Sequence, residues 1–175
     1  MSKSPELGVC YYPEHWPEKM WITDAENMHK NGITWVRIAE FAWSRIEPSS
    51  GVFDWNWLDK IVDILGKHGL KIVMCTPTAT PPKWLVDQMP DMVAIDENGQ
   101  ARKFGSRRHY SFSHIGYQQE SQRITKAIAE RYGQNNFVKA WQTDNEFGCH
   151  ETTYSWCLSA LREFRIWLKK KYQNI

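Results

Sequence analysis

The chain has 175 residues, with 22 Lys and Arg against 20 Asp and Glu, and 42% of its residues are hydrophobic. These values describe one globular unit that is long enough to bury a core, and a net charge of +2 is too small to predict nucleic acid or an anionic membrane as a partner. No apolar run approaches the roughly 20 residues of a membrane helix, and residues 1–6 lack the apolar segment of a secretory signal.

Short apolar runs alternate with helical patterns along the sequence. The apolar runs predict strands at residues 7–12, 33–38, 70–75 and 138–143. A first helix is predicted to begin at Pro17, and a second after Asp54, a candidate N-cap. A third is predicted over residues 116–132. The last predicted helix has four apolar side chains on one face: Cys157, Leu161, Phe164 and Leu168.

Four successive strand–helix units predict an α/β fold with a parallel sheet and right-handed crossovers. Two closures compete, an open doubly wound sheet and a (β/α)8 TIM barrel. A nucleotide-binding open sheet normally has a glycine-rich turn after its first strand, whereas residues 11–16 contain no glycine. The barrel is therefore favoured. Because a complete barrel takes roughly 200–250 residues, residues 1–175 are expected to form the N-terminal half of one barrel domain, about the first four βα units, with no second domain.

Aromatic residues and cysteines add two expectations. Aromatic residues make up 14% of the chain, including 10 Trp, which fits either a Trp-rich core or a cleft whose flat rings pack on the C–H faces of sugars. The four cysteines, Cys10, Cys75, Cys149 and Cys157, form no C-x-x-C pair. They predict reduced thiols and a cytoplasmic location rather than a disulfide framework.

Polar side chains cluster where the predicted strands end, which is where barrels of this kind carry their reactive groups. Glu14 follows the first strand, Arg37 and Glu40 end the second, and Asn145 and Glu146 follow the fourth. The connection after the third strand runs over residues 76–113, far beyond the usual loop length. Its basic segment, residues 105–110, is interpreted either as a solvated loop or as a segment that brings an arginine over the cleft.

Glu146 is the candidate reactive group. It follows an apolar strand, with Trp141 and Phe147 nearby. A carboxyl group in partly apolar surroundings has a raised pKa and can donate a proton near neutral pH. The adjacent Asn145 supplies an amide for a sugar hydroxyl next to the reacting carbon. Taken alone, the Asn–Glu pair is also compatible with a capping or salt-bridged carboxylate.

Longer strings give this pair a context. The chain resembles glycoside hydrolase family 42, the β-galactosidases built on (β/α)8 barrels. The resemblance rests on residues 7–17, 36–43, 76–85, 104–110 and 141–150, which cover all four strand ends in order.

The resemblance implies roles for four residues and a reaction. Glu146 matches the general acid/base, Asn145 a sugar contact, and Arg37 and Arg107 match arginines that line the galactose subsite. The implied activity is retaining hydrolysis of terminal β-D-galactosides without a cofactor, by two carboxyl groups roughly 5–5.5 Å apart. The family's nucleophile lies on the seventh strand, outside this chain, so the chain alone is expected to have little activity.

Some members of the family hold a structural zinc with four cysteines. Those positions correspond here to Ser111, Ser155, Cys157 and Ala160. One thiolate cannot build a tetrahedral sulfur site, so no metal is predicted. The nearby His150 is interpreted as a hydrogen-bonded structural residue.

A half-barrel has two further consequences. Its first and fourth strands expose open apolar edges, which predicts self-association, and the resemblance implies a trimer for full-length members of the family. Two alternatives to a β-galactosidase remain open, a non-catalytic carbohydrate-binding half-barrel and a structural remnant with no function of its own.

Overall fold

A parallel sheet forms the centre of the molecule. The structure is a computed structural model that describes residues 5–105, 108–149 and 154–173. In these ranges the strands lie parallel in the order β1-β2-β3-β4, so each strand pairs with the next one along the chain. The strands are β1 (Leu7–Cys10), β2 (Ile33–Ile38), β3 (Lys71–Cys75) and β4 (Val138–Gln142). The predicted parallel sheet is confirmed, and β2 has the predicted bounds.

Helices follow each strand in the described ranges. They are α1 (Trp21–Lys30), α2 (Trp43–Ile46), α3 (Asn56–Lys67), α4 (Lys83–Gln88), α5 (Ile115–Tyr132) and α6 (Leu158–Tyr172), with 3₁₀ turns at Pro13–His15, Glu18–Met20 and Pro90–Met92. The four longer helices are the predicted ones. The helices α2 and α4 were not predicted, because helices of four and six residues are too short to show a 3.6-residue period.

Two predicted helix starts differ locally from the structure. Pro17 precedes a 3₁₀ turn, in which its carbonyl accepts from Met20 N at 2.9 Å, and α1 begins only at Trp21. Asp54 lies two residues before α3, and its Oδ1 accepts a hydrogen bond from Asn56 N at 3.2 Å. The N-cap position of α3 is Trp55 and not the predicted Asp54, although the Asp54 side chain satisfies the N–H of the first helical residue.

The core lies between the sheet and the helices α1, α3 and α5. Its members are buried apolar side chains from the strands and from one face of each helix, including Val36, Ile38, Ile72, Met74, Trp21, Ala25, Leu58, Ile61, Leu65, Ile124 and Ile128. Among the tryptophans, Trp21, Trp43 and Trp57 are buried, whereas Trp16 and Trp141 are exposed. The high Trp content therefore serves both the core and the surface.

Both edges of the sheet and one helix have little cover from the described residues. The strand β1 is exposed along its whole length. The helix α6 has no buried residue among those described, and its side chains Leu161 and Phe164 are more than 40% exposed. In the parts of the chain that the structure describes, no helix is both long enough and apolar enough to cross a membrane.

Candidate active site

Side chains from different strands meet at the carboxyl end of the sheet. Arg37 lies in β2, and its Nη1 donates a hydrogen bond to Gln142 Oε1, at the end of β4, over 2.8 Å. The Nη2 atom of Arg37 lies 2.5 Å from Glu40 Oε2 and forms an ion pair with it. The angles at these atoms do not make the contact a hydrogen bond. Tyr12 OH donates to the other oxygen of Glu40, also at 2.5 Å. Partial burial lowers the pKa of Arg37, but Glu40 and other neighbours raise it to a net value above the ordinary one.

Gln142 extends this contact to the residues after β4. Its Nε2 donates to the carbonyl oxygen of Asp144 at 2.8 Å and to Asn145 Oδ1 at 3.3 Å. Asn145 is buried, and Glu146, which follows it, has an exposed side chain. Three of the predicted site residues therefore lie on one connected edge, in the order Arg37, Asn145 and Glu146. The fourth, Arg107, lies outside the described residues.

Asp144 braces the turn that carries Asn145 and Glu146. Its Oδ2 accepts from Thr78 Oγ1 at 2.7 Å, and its Oδ1 accepts from the backbone N–H of Asn145 at 2.6 Å. Its own N–H donates to Thr76 Oγ1 at 2.7 Å. These bonds join the turn to the residues directly after β3.

Arg108 brings the long third connection back to the same turn. Its Nη2 lies 3.1 Å from Asp144 Oδ1, and both side chains are almost fully buried. Its guanidinium group lies over the rings of Phe112 and Phe147, at 5.6 and 5.5 Å from their centroids. The interpretation of residues 105–110 as a solvated basic loop is therefore wrong for Arg108.

Backbone strain is concentrated at this edge. Five described non-glycine residues have a positive φ angle, and four of them lie at or beside the site: Ala39, Arg108, Asp144 and Glu146. The φ angles of Asp144 and Glu146 are 54° and 48°. Such conformations cost about 1–3 kcal/mol each and persist where surrounding contacts enforce them. The bonds of Asp144 are such contacts, and they fix the backbone that presents Glu146.

Glu14, which follows β1, carries a further carboxyl group that is shielded from solvent. Neither carboxylate oxygen of Glu14 has a hydrogen bond to another described residue, and both are shielded from solvent. This desolvation raises the pKa of Glu14, although the nearby charges of His15 and Arg45 act in the opposite direction. Glu14 therefore holds its proton more readily than an ordinary glutamate.

The four positions that the resemblance matches to zinc cysteines, Ser111, Ser155, Cys157 and Ala160, lie together. Burial raises the pKa of the Cys157 thiol, but hydrogen bonds from the Ser111 and Ser155 hydroxyls and from backbone N–H groups at the start of α6 lower it to a net value below the ordinary one. Two hydroxyls, one thiol and the methyl group of Ala160 do not fit a zinc ion, which prefers four thiolate or imidazole ligands. Among the described residues no group of three or more His, Cys, Asp and Glu side chains is placed to hold a metal. His150 lies outside them.

Gln142 is not among the site residues predicted from the sequence. Gln142 lies in residues 141–150, one of the segments that resemble the family, but a glutamine by itself does not indicate a catalytic or binding role. The available signal was its position as the last residue of a strand, immediately before the polar segment that ends in Glu146.

The fold and this edge define a class of protein. Parallel βα units with charged and amide side chains at the carboxyl ends of the strands are the arrangement of (β/α)8-barrel enzymes. Residues 10–175 match the family model of glycoside hydrolase family 42, which is described as beta-galactosidase. The chain belongs to this family, as the sequence analysis predicted.

Individual relatives agree with the family model. The chain is 50% identical over 169 residues to beta-galactosidase BgaA of a Thermus species, covering 97% of this chain and 26% of the relative. It is 54% identical to a crystal structure of beta-galactosidase from the psychrophilic Marinomonas ef1, with a TM-score of 0.95 over 97% of this chain and 26% of that one. A beta-galactosidase of the haloarchaeon Halorubrum lacusprofundi has 48% identity and a TM-score of 0.94, covering 98% of this chain and 26% of its own. The chain thus spans about a quarter of the length of these relatives, and its fold is that of a partial TIM barrel.

Proposed function

We propose that this chain is the N-terminal half of the barrel domain of a retaining β-galactosidase and that Glu146 is its general acid/base. The observation that carries the proposal is the hydrogen-bonded connection from Arg37 through Gln142 to Asn145. It brings a cation and an amide from different strands to the edge where Glu146 follows. Family membership supplies the substrate class, terminal β-D-galactosides.

The proposed reaction has two steps. In the first, Glu146 protonates the departing glycosidic oxygen while a second carboxylate attacks the anomeric carbon and forms a galactosyl-enzyme. In the second, Glu146 removes a proton from water, which releases galactose and frees the second carboxylate. Arg37 and Asn145 bind the hydroxyl groups of the sugar, and Arg107 is proposed for the same subsite.

The second carboxylate is proposed to come from a part of the barrel outside these 175 residues. The exposed strand β1 and the uncovered apolar side chains of α6 support this proposal, because a closed barrel pairs its edge strands and covers its helices. The chain alone is then expected to hydrolyse galactosides weakly. Cytoplasmic location and self-association through the open edges belong to the same proposal.

Sugar binding without hydrolysis is the second candidate function. Phe147 directly follows Glu146 in the turn after β4, and its ring is exposed. An exposed ring beside Glu146 suits the apolar face of a sugar whether or not a nucleophile is present. Titration of the 175-residue chain with galactose, followed by Trp fluorescence, measures this binding directly.

The experiment that tests the hydrolytic proposal is Glu146→Gln in the full-length enzyme that carries this segment. Hydrolysis of an alkyl galactoside is expected to fall by about 10²–10⁴-fold, because its leaving group needs a proton. The first step with a dinitrophenyl galactoside, whose leaving group needs almost none, should fall far less. Glu130→Gln removes the same charge from an exposed position of α5 and is the matched control. Equal losses on both substrates would refute the acid/base role of Glu146.

A further inference from the structure

Both ends of the Gln142 side-chain amide are engaged, and each end faces a different residue of the proposed sugar site. Its Oε1 accepts from Arg37 Nη1 at 2.8 Å. Its Nε2 donates to the carbonyl oxygen of Asp144 at 2.8 Å and to Asn145 Oδ1 at 3.3 Å. Gln142 is half-buried at the end of β4, so few alternative partners are within its reach.

The chemistry of Arg37 fixes which way round this amide lies. A guanidinium group has five N–H donors and no acceptor, so it can bond only to the oxygen of Gln142. Arg37 is itself held by the ion pair with Glu40, which Tyr12 contacts from the other side. Since the oxygen of Gln142 faces Arg37, its NH2 group must face the turn after β4.

The same logic then applies to Asn145. The NH2 group of Gln142 can bond only to an acceptor, so Asn145 turns its Oδ1 toward Gln142 and its own NH2 group away from it. We propose that Gln142 is a positioning residue, which uses the fixed charge of Arg37 to orient the Asn145 amide so that its NH2 group faces the sugar. This inference rests on the proposed function.

The orientation matters for the hydroxyl next to the reacting carbon. A hydroxyl oxygen that accepts from the Asn145 NH2 group keeps its own hydrogen free to donate to a carboxylate. Hydrogen bonds to this hydroxyl strengthen as the oxocarbenium-like transition state forms. An inverted Asn145 amide offers an acceptor instead, and the hydroxyl cannot donate its single hydrogen to both acceptors.

The test replaces Gln142 in the full-length enzyme and compares two substrates, an aryl β-galactoside and its 2-deoxy analogue. Gln142→Glu keeps an acceptor for Arg37 but has no donor for Asn145, so the Asn145 amide is expected to invert. The expected result is an approximately tenfold loss of kcat/KM on the galactoside, as for one lost hydrogen bond, and a loss of less than about threefold on the 2-deoxy substrate. The ratio of kcat/KM for the galactoside to kcat/KM for the 2-deoxy substrate therefore falls.

Gln118→Glu is the matched control. Gln118 Nε2 donates to the carbonyl oxygen of Phe112 at 2.7 Å, so this change also removes an amide-to-carbonyl bond, but on α5. It should leave the ratio of the two substrates unchanged. Equal losses on both substrates in Gln142→Glu, or no loss on either, would overturn the positioning role while leaving the proposed function intact. A wild-type enzyme that hydrolyses neither substrate would instead refute the proposed function.

Two further measurements keep the inference testable if Gln142→Glu does not fold or hydrolysis is absent. Gln142→Met has nearly the same shape but provides neither the donor for Asn145 nor the acceptor for Arg37. The Asn145 amide is then no longer held in one orientation, so discrimination between the two substrates should fall. Binding of galactose and 2-deoxygalactose to the 175-residue chain, followed by Trp fluorescence, gives a readout without turnover. The ratio of the dissociation constant of 2-deoxygalactose to that of galactose should be about tenfold larger for the wild-type chain than for the Gln142→Met variant. An unchanged preference would contradict the proposal.

Discussion

The buried ion pair between Arg108 and Asp144 allows a quantitative test of how the site is held together. Its side chains are 1% and 7% exposed, and their charged atoms are 3.1 Å apart. Breaking a buried pair from one side leaves an uncompensated charge, which costs about 3–5 kcal/mol. We expect the lower end of this range for Arg108→Met, because Asp144 keeps its bonds to Thr78 and to the N–H of Asn145.

The double variant separates the pair from the rest of the packing. Asp144→Asn leaves the guanidinium of Arg108 buried without its partner, and we expect it to cost about 3–5 kcal/mol as well. When both changes are made, neither charge remains, so the combined loss should fall short of the sum by about 1–3 kcal/mol. Urea unfolding, followed by circular dichroism and by Trp fluorescence, measures these free energies of unfolding.

An exposed pair on α3 is the control for this cycle. Asp63 and Lys67 lie one helical turn apart with an N–O distance of 2.7 Å, but both side chains are at least half exposed. Their coupling is expected to be at most about 0.5 kcal/mol. If Arg108 and Asp144 couple no more strongly than this exposed pair, the reasoning that their burial braces the turn is refuted.

Three other changes test separate features of the site and its support. Arg37→Ala should raise KM for galactosides about tenfold or more with a smaller effect on kcat, because it removes the charge-assisted bonds to the sugar that we propose for Arg37; an unchanged KM in steady-state kinetics would contradict this. The raised pKa of Glu14 means that its contribution to stability is present below its ordinary value of 4.5 and is lost as the pH rises through the folded-state pKa. Glu14→Gln should therefore stabilise the protein at neutral pH relative to wild type but not near pH 4, and a pH-independent difference in melting temperature would count against it. Glu47→Gln should cost about 2–4 kcal/mol in urea unfolding, since the fully buried carboxylate accepts two bonds from Arg123 at 2.7 and 2.8 Å, and a loss below about 1 kcal/mol would contradict that role.

The strands and long helices could be predicted from the sequence because their apolar patterns reflect burial. Continuous apolar runs indicate strands that are covered on both faces, and apolar residues three or four positions apart indicate helices that are covered on one face. The helices α2 and α4 could not be predicted, since each is only one or two turns long and its packing depends on partners distant in sequence. Trp43 in α2 shows this: its Nε1 donates to the buried carboxylate of Glu47, which also binds Arg123 from α5. A local sequence pattern cannot predict the contact between Glu47 and Arg123, which are 76 residues apart.

The candidate site was predictable in part for a similar reason. Strand ends were visible as the points where apolar runs stop, so Arg37, Asn145 and Glu146 could be assigned to one edge. The sequence could not indicate that Arg108 is buried, because that depends on the backbone angle, and Arg108 has a φ of 53°. Nor could it identify Gln142, whose role depends on a partner 105 residues away.

Among the described residues, the contacts that shape this half of the site join the strand β2 to the segments that follow β2, β3 and β4. Glu40 holds Arg37, Gln142 joins Arg37 to Asn145, and Asp144 fixes the strained turn before Glu146. None of these contacts involves a residue from a further strand, so in the proposed enzyme this chain's own residues preorganise the half of the site that carries Glu146. The exposed edge of β1 and the uncovered side chains of α6 differ from these contacts, because the described residues do not bury them and their burial requires a partner. In the proposed enzyme, closure of the barrel therefore has two separable tasks, to cover apolar surface and to bring a second carboxylate to Glu146.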